Sequence, residues 1–247
     1  MLVPELRDRI ALVTGGANGI GAAIVRSLHA QGALVCFCDL DERAGKSLVR
    51  HLGSRVVFRK VNLTLESQVV RWIARVARQH GRIDVLINNA ARDPRIRMEA
   101  TSARDWDGLF ASNLRAYFLT CRESVKWMPS GASIINLASI TFHQGPSDMT
   151  AYVATKGGVL GFTRSLSREL GPRRIRVNTI SPGWVMTERQ LRQFVTAATK
   201  KTIRRAQCIP DLMQPEEIAS VALFLASSAS VGMTGQELLV DRGWYHS

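Results

Sequence analysis

The sequence predicts an α/β protein, a single domain in which a doubly wound parallel sheet carries helices on both faces. Three observations point there. Short apolar runs alternate with helix-periodic stretches along all 247 residues, the order that a parallel sheet with crossover helices requires. A glycine-rich turn, TGGANGIG from Thr14 to Gly21, joins the first apolar run to the first helical stretch. No repeat, low-complexity linker or composition break divides the chain. The length suits one large or two small domains, and the unbroken alternation assigns residues 1–247 to one unit.

Residues 9–13 (RIALV) form the first strand, and Ile20, Ile24 and Leu28 then fall on one face of a helix. Gly32 ends that helix, and Ala33 to Asp39 (ALVCFCD) reads as a buried strand closing on an acid. Strand, glycine turn, helix, strand and acid make one βαβ unit with the layout of a Rossmann-type dinucleotide site. Gly15, Gly19 and Gly21 let the backbone turn tightly and approach a pyrophosphate, whose charge the helix N-terminus favours. Their spacing is GxxxGxG and not the generic GxGxxG. Asp39 stands where an acidic side chain accepts hydrogen bonds from the adenosine ribose hydroxyls and repels a 2′-phosphate. The expected cofactor is therefore NAD, with the nearby cation of Arg43 as the counter-indication.

Residues 41–52 read as helix, 55–61 as strand, 65–80 as a long amphipathic helix, and 83–87 as a strand ending in Asn88-Asn89-Ala90-Ala91. One long helix is expected over 103–127, with Asn113 inside it. Strand 132–138, helix 151–170, strand 174–180 and the turn Ser181-Pro182-Gly183 follow. Residues 184–213 break the pattern: they are polar, rich in basic residues and lack an apolar stripe. Such a segment beside the C-terminal edge of the sheet is a candidate substrate lid. A helix over 215–228 and a strand from Glu237 to Val240 complete the alternation. Loops after the strands of such a sheet gather at one edge, where ligands bind. The glycine turn, Asp39, Asn62, Asn88 to Ala91, Ser139 and Pro182 to Thr187 are all expected in that crevice.

Composition narrows the function classes. Lys and Arg number 33 against 20 Asp and Glu, a net charge of +13. These cations spread from Arg7 to Arg242 without aromatic interleaving or a helix-turn-helix pattern. They indicate a basic surface that prefers anionic ligands, and no nucleic-acid partner is expected. No run approaches the ~18 apolar residues of a membrane span and no signal-peptide pattern is present, so a soluble, cytoplasmic protein is expected, with no membrane partner. Cys36, Cys38, Cys121 and Cys208 show neither metal nor disulfide spacing. Cys36 and Cys38 read as ordinary buried thiols, and no metal site is expected.

The candidate chemistry lies between Ser139 and Lys156 (SITFHQGPSDMTAYVATK). Ser139 ends an apolar strand run. Tyr152 and Lys156 share one helix face about one turn apart. A buried lysine charge beside a phenol favours phenolate and lowers a pKa that is about 10 when unperturbed. Bringing it towards neutrality takes roughly 4 kcal/mol of differential interaction. The product is a general base able to take a proton from an alcohol.

With these motifs placed, the chain resembles the short-chain dehydrogenase/reductase superfamily over essentially its whole length. The residues that carry the resemblance are TGGANGIG, Asn88-Asn89-Ala90, Asn113, Ser139, Tyr152-Val153-Ala154-Thr155-Lys156 and Pro182-Gly183. It implies that Tyr152 is the catalytic base and that Ser139 hydrogen-bonds the reacting oxygen. It implies that Lys156 holds the nicotinamide ribose and lowers the tyrosine pKa, while Asn113 anchors a water in a proton relay. The implied cofactor contacts are Gly15, Asn18, Gly19, Ile20, Gly21, Asn89, Ala90 and Pro182, with Val185 and Thr187 at the nicotinamide end and Asn62-Leu63 at the adenine. The implied assembly is a homotetramer, and the apolar C-terminal run with Trp244 is expected in an interface. Asn62 stands where an aspartate is usual, and its carbonyl is expected to accept from the adenine amine. Ala91, Trp184 and Arg242 are further departures from the family pattern.

Shorter stretches, Ser139 to His143, Arg92 to Arg95, Ala206 to Cys208 and Thr234 to Glu237, are similar to bacterial sugar dehydrogenases. The expected reaction is thus hydride transfer from a sugar hydroxyl to NAD, an aldose yielding a lactone. A sugar acid, such as a 2-keto-3-deoxy acid, would yield a ketone. Pocket candidates beside Ser139 and Tyr152 are Asp93, Arg95, His143, Gln144, Trp184 and Arg189. Arg92, Arg95, Arg97 and Arg104 form a cluster that suits a carboxylate, which keeps the sugar acid close behind the neutral aldose. Two other readings stand beside these: a reductase of another carbonyl (acyl, steroid, polyol) and a non-catalytic nucleotide-binding protein. Against the last, a retired enzyme has no chemical need of Ser139, Tyr152 and Lys156 together.

Overall fold

In the computed structural model, which describes residues 3–245, seven strands join in one sheet of order β3-β2-β1-β4-β5-β6-β7. They are β1 (Ile10–Thr14), β2 (Leu34–Asp39), β3 (Val56–Lys60), β4 (Val85–Asn88), β5 (Ser133–Leu137), β6 (Arg176–Pro182) and β7 (Glu237–Val240). Every neighbouring pair is parallel. The chain builds outward from β1 to β3, then crosses back to lay β4 against the other side of β1. That reversal opens a crevice beyond the C-terminal ends of β1 and β4.

Strand alternation explains how both faces become covered. Val35 and Phe37 of β2 join one core with Ile24 and Leu28 of α1 (Gly19–Ala30) and with Ala219 and Leu223 of α10 (Pro215–Ala226). Cys36 and Cys38 point the other way, into a core with Trp72 and Ile73 of α3 (Glu66–His80) and Leu119 of α5 (Ala116–Ser124). Each fully buried Leu, Ile or Phe contributes ~1.5–3 kcal/mol on such a scale. Burial pushes the Cys36 thiol up to about 12, so it behaves as a small apolar side chain. The remaining helices are α2 (Glu42–Leu52), α4 (Ala103–Phe110), α6 (Thr141–Gln144), α7 (Thr150–Leu170), α8 (Glu188–Gln193) and α9 (Ala197–Ala206).

Two stretches differ from expectation. The long helix over 103–127 is interrupted by a π-turn at Ala111–Arg115, so that α4 and α5 flank a widened turn containing Asn113. Residues 184–213, which showed no apolar stripe, contain α8 and α9, where Ile203 is the buried side chain of α9. Short helices with single anchors do not generate the periodicity that longer packed helices show.

A buried polar row runs through the middle of the sheet at its C-terminal edge. Register places Asn88 beside Asn136 and Asn136 beside Thr179. Thr120 Oγ1 donates to Asn88 Oδ1 (2.6 Å) and Asn88 Nδ2 to Asn136 Oδ1 (2.9 Å). Asn136 Nδ2 then donates to Thr163 Oγ1 (2.9 Å), which also accepts from Thr179 Oγ1 (2.9 Å). Each member satisfies the next, so the burial costs little. The row bonds α5 and α7 to β4, β5 and β6, and α7 carries Tyr152 and Lys156.

Candidate active site

The glycine turn lies flush against its surroundings. A Cβ on Gly21 would sit 1.9 Å from the Gly15 carbonyl oxygen, and one on Gly15 would sit 2.8 Å from Ala90 Cα. Gly19, with φ +53°, faces the Thr187 methyl, 3.0 Å from where a Cβ would stand. Asn89 sews the end of β4 to this turn: its Nδ2 donates to the carbonyls of Thr14 (3.1 Å) and Gly15 (2.9 Å). Thr14 Oγ1 accepts in return from the backbone N–H of Asn89 and Ala90. Asn18 gives its amide to Asp41 Oδ2 (3.2 Å) and makes no side-chain cap on α1. The first N–H groups of α1 thus point into the crevice without a side-chain acceptor.

Asp39 ends β2 with its carboxylate beside the same turn, accepting from Ala17 N (3.0 Å) and Asp41 N (3.1 Å). Asn62 differs from expectation. Its Oδ1 accepts from Thr64 N (3.0 Å) and Thr64 Oγ1 (2.8 Å), closing a turn after β3. The carbonyl expected to meet the adenine amine is therefore engaged locally, which leaves the amide nitrogen as the group to offer outward. Leu63 beside it is buried.

Around the reactive centre, Lys156 is only 2 % exposed, and its Nζ donates to Leu137 O (2.8 Å). Its ammonium stands 5.6 Å from the Tyr152 ring centre and 5.7 Å from that of Tyr117. Burial lowers the Lys156 ammonium to about 7, with the Asp93 charge opposing. Half-buried Tyr152 behaves opposite to expectation. Burial raises its phenol, the Asp93 charge adds to this, and a side-chain hydrogen bond with Ser139 and the Arg189 charge pull back. The i, i+4 spacing does bring phenol and ammonium together, but desolvation outweighs their attraction in the chain alone. Ser139 Oγ also accepts from Thr141 Oγ1 (2.9 Å). Asn113, wholly buried in the π-turn, exchanges hydrogen bonds with the backbone of Arg92: Nδ2 to Arg92 O (2.8 Å) and Arg92 N to Oδ1 (2.9 Å). Its side chain is thereby committed to holding the loop that follows β4.

That loop meets the segment of residues 184–213. Asp93 is ion-paired with Arg189 of α8 and accepts from Gln190 Nε2 (3.1 Å). Gln190 Oε1 in turn accepts from Trp184 Nε1 (3.1 Å). Asp93 and Arg189, expected as independent pocket groups, are thus each other's partners. Arg95 lies over the rings of Trp184 and Phe194. His143 Nε2 contacts Glu237 Oε1 (2.8 Å), and its ring stacks on Tyr245 with centres 4.7 Å apart. Gln144 is exposed at the end of α6. Val185 is buried, Thr187 caps α8, and Gly183 packs against Asp241, which a Cβ would approach to 2.8 Å.

The last turn of the chain was not anticipated in this role. Trp244 stacks on Trp184, with centres 6.5 Å apart and planes 20° off parallel. Arg242, in the left-handed region at φ 59°, pairs with Glu217 (2.8 Å) and Asp211 (3.5 Å). Asp241 accepts from the backbone N–H of Gly243 (3.0 Å) and Tyr245 (2.8 Å). Residues 241–245 therefore brace both walls of the crevice, Trp184 on one side and His143 on the other. The only sequence signal for this was aromatic density at the chain end.

A dinucleotide fits these residues. Three glycines form a cradle that side chains would fill, α1 begins there without a side-chain cap, and a carboxylate stands at the end of β2. Among the described residues, no group of three or more His, Cys, Asp or Glu gathers as a metal site would require. No described helix is long and apolar enough to cross a membrane.

A dinucleotide cradle, a Ser–Tyr–Lys cluster and a reversing parallel sheet define a dehydrogenase-like class of protein. The family model described as "Enoyl-(Acyl carrier protein) reductase" matches residues 15–245. The chain belongs to the short-chain dehydrogenase/reductase family. It is 37% identical over 246 residues to the "Probable galactose dehydrogenase GalD" of Rhizobium meliloti (strain 1021), covering 97% of this chain and 96% of that one. It is 36% identical over 250 residues to the D-xylose 1-dehydrogenase of Caulobacter vibrioides (strain NA1000 / CB15N), covering 98% of each. A solved short-chain dehydrogenase/reductase, a glucose/ribitol dehydrogenase from Brucella melitensis, superposes with a TM-score of 0.94 at 31% identity over 100% of both chains.

Proposed function

We propose that this chain oxidises a sugar hydroxyl, an aldose at C1 to its lactone, with NAD as hydride acceptor. The observation that carries the reading is one crevice holding Ser139 and Tyr152, buried Lys156 and the glycine cradle. The likeness to named galactose and xylose dehydrogenases supports a sugar over other alcohols. Nicotinamide dinucleotide, when bound, supplies the hydride acceptor. Its pyrophosphate is assigned to Gly15, Asn18, Gly19, Ile20 and Gly21, and its adenine end to Asp39, Asn62 and Leu63. Asn89, Ala90, Pro182, Val185 and Thr187 line the nicotinamide end. Asp39 supports NAD over NADP, because a carboxylate repels a 2′-phosphate.

Tyr152 takes the proton from the substrate hydroxyl, and Ser139 holds the reacting oxygen by a hydrogen bond. Lys156 supplies positive charge beside the phenol and a donor towards the ribose. The side chain of Asn113 is spent on Arg92, so a relay water is assigned to its main-chain carbonyl. Asp93, Arg189 and Trp184 face the sugar, with carboxylate and guanidinium matching hydroxyl groups and the indole a ring face. A cytoplasmic homotetramer is the proposed assembly, supported by exposed apolar side chains such as Phe118 on α5.

The test is a panel of aldoses, aldonates and 2-keto-3-deoxy acids with NAD and with NADP, read as reduced cofactor. Turnover of an aldose that Tyr152→Phe abolishes, with NADH affinity kept, is the expected result. No reduced cofactor from any sugar compound would refute the reading and favour reduction of another carbonyl.

A further inference from the structure

We propose that Arg95 reads an anionic group at the far end of the substrate, so that the preferred sugar carries a carboxylate or phosphate. This rests on the sugar-oxidation reading above and names the substrate class within it. Four arginines follow β4 within a short span, and the structure separates their roles. Arg97 is paired with Glu99 (2.9 Å). The charges of Arg92 and Arg104 act on Asp105. Arg189, the other cation of this wall, is bound to Asp93.

Arg95 is different. Its guanidinium lies 4.1 Å from the ring centre of Phe194 and 5.4 Å from that of Trp184. Among the described residues it has no carboxylate partner. Aromatic rings cover the faces of a guanidinium and leave its N–H edges free, and those edges make the bidentate fork that carboxylate and phosphate fit. A stacked guanidinium has also given up much of its rotamer freedom, so binding to it costs less ordering entropy than binding to a free surface arginine. Its place suits a distal group. Arg95 lies two residues beyond Asp93, whose charge reaches both Tyr152 and Lys156. Arg95 is exposed where Lys156 is buried, which sets it at the mouth of the crevice rather than at the reacting carbon. With Asp93 neutralised by Arg189, the wall carries one uncompensated positive charge.

The experiment compares D-galactose, D-galacturonate and D-galactose 6-phosphate, which share a C1 hydroxyl and differ at the far end. Initial rates are measured with NAD on the full chain, wild type, Arg95→Gln and Arg95→Lys. The expected result is a kcat/KM at least tenfold higher for one anionic sugar than for galactose. Arg95→Gln should remove that preference through KM, lowering kcat/KM for the anionic sugar at least tenfold more than for galactose, and Arg95→Lys should be intermediate. Preference for galacturonate or for the phosphate identifies which anion is read. Equal kcat/KM for all three in wild type overturns the inference while leaving sugar oxidation standing. An equal fall for charged and neutral sugars in Arg95→Gln also overturns it, since Arg95 would then merely brace the lid. If none of the three is oxidised while a non-sugar carbonyl is reduced, the sugar reading itself fails.

Discussion

Replacing Lys156 by methionine should abolish alcohol oxidation and at the same time stabilise the dinucleotide-free chain near neutral pH. The lysine is buried, and burial lowers its ammonium from 10.5 to about 7. At about 1.36 kcal/mol per pH unit, that separation corresponds to roughly 5 kcal/mol of penalty on carrying the charge inside. The sign follows from proton counting. The unfolded chain keeps this proton up to 10.5 and the folded chain only to about 7, so wild-type stability rises across that window. Below about 7 the penalty is fully present.

Methionine matches the length of the lysine stem and carries no charge. Its substitution removes the Nζ–Leu137 hydrogen bond (2.8 Å), a loss of ~1–3 kcal/mol for a bond to a charged group. Leu137 O is not orphaned, because Tyr117 Oη still donates to it (3.2 Å). The balance is a gain of about 2–4 kcal/mol at neutral pH, shrinking towards pH 10, or roughly 4–16 °C in Tm at neutral pH. Urea unfolding of both proteins without dinucleotide, between pH 6 and 10, reads it directly. A wild type that is the more stable at pH 6–7, or a difference flat across the range, would refute the argument that burial dominates this lysine.

Two further outcomes follow from the packing. Gly21→Ala should weaken NADH binding at least tenfold by fluorescence titration while far-UV circular dichroism stays near wild type, because its Cβ would lie 1.9 Å from Gly15 O and push the cradle apart. Affinity within twofold of wild type would remove the cradle from its role. Thr163→Val should destabilise the fold by ~1–3 kcal/mol in urea unfolding, since it strips Asn136 Nδ2 and Thr179 Oγ1 of their shared acceptor. An unchanged midpoint would mean that the buried row carries no net stability.

The fold was legible because its signal is repeated. Parallel strands buried on both faces read as apolar runs, and α1, α3 and α7 are long enough to show their stripe. The glycine turn and the Tyr152–Lys156 pair were legible for a related reason, since each is a local arrangement fixed by spacing alone. What escaped depends on pairs distant in the chain. Asp93 with Arg189, His143 with Glu237 and Trp184 with Trp244 lie many residues apart, and no local pattern announces them. Asn62 shows the limit from the other side: its place after β3 was readable, but the direction of its amide was set by Thr64 two residues on.

The same limit applies to the charge state of Tyr152. Spacing puts a phenol beside an ammonium, yet it says nothing of how much water either keeps. Once both are buried, the phenol rises and the ammonium falls, and each becomes less charged than the base chemistry requires. The groups that act on them from outside are Asp93, which raises both, and Ser139 and Arg189, which pull the phenol back. Asp93 and Arg189 are the two halves of the ion pair that joins the β4 loop to α8. A movement of α8 would therefore alter the field at Tyr152 as well as access to it. α8 is thus electrostatically linked to Tyr152, and substitutions at Asp93 or Arg189 act on the phenol even where they do not touch it.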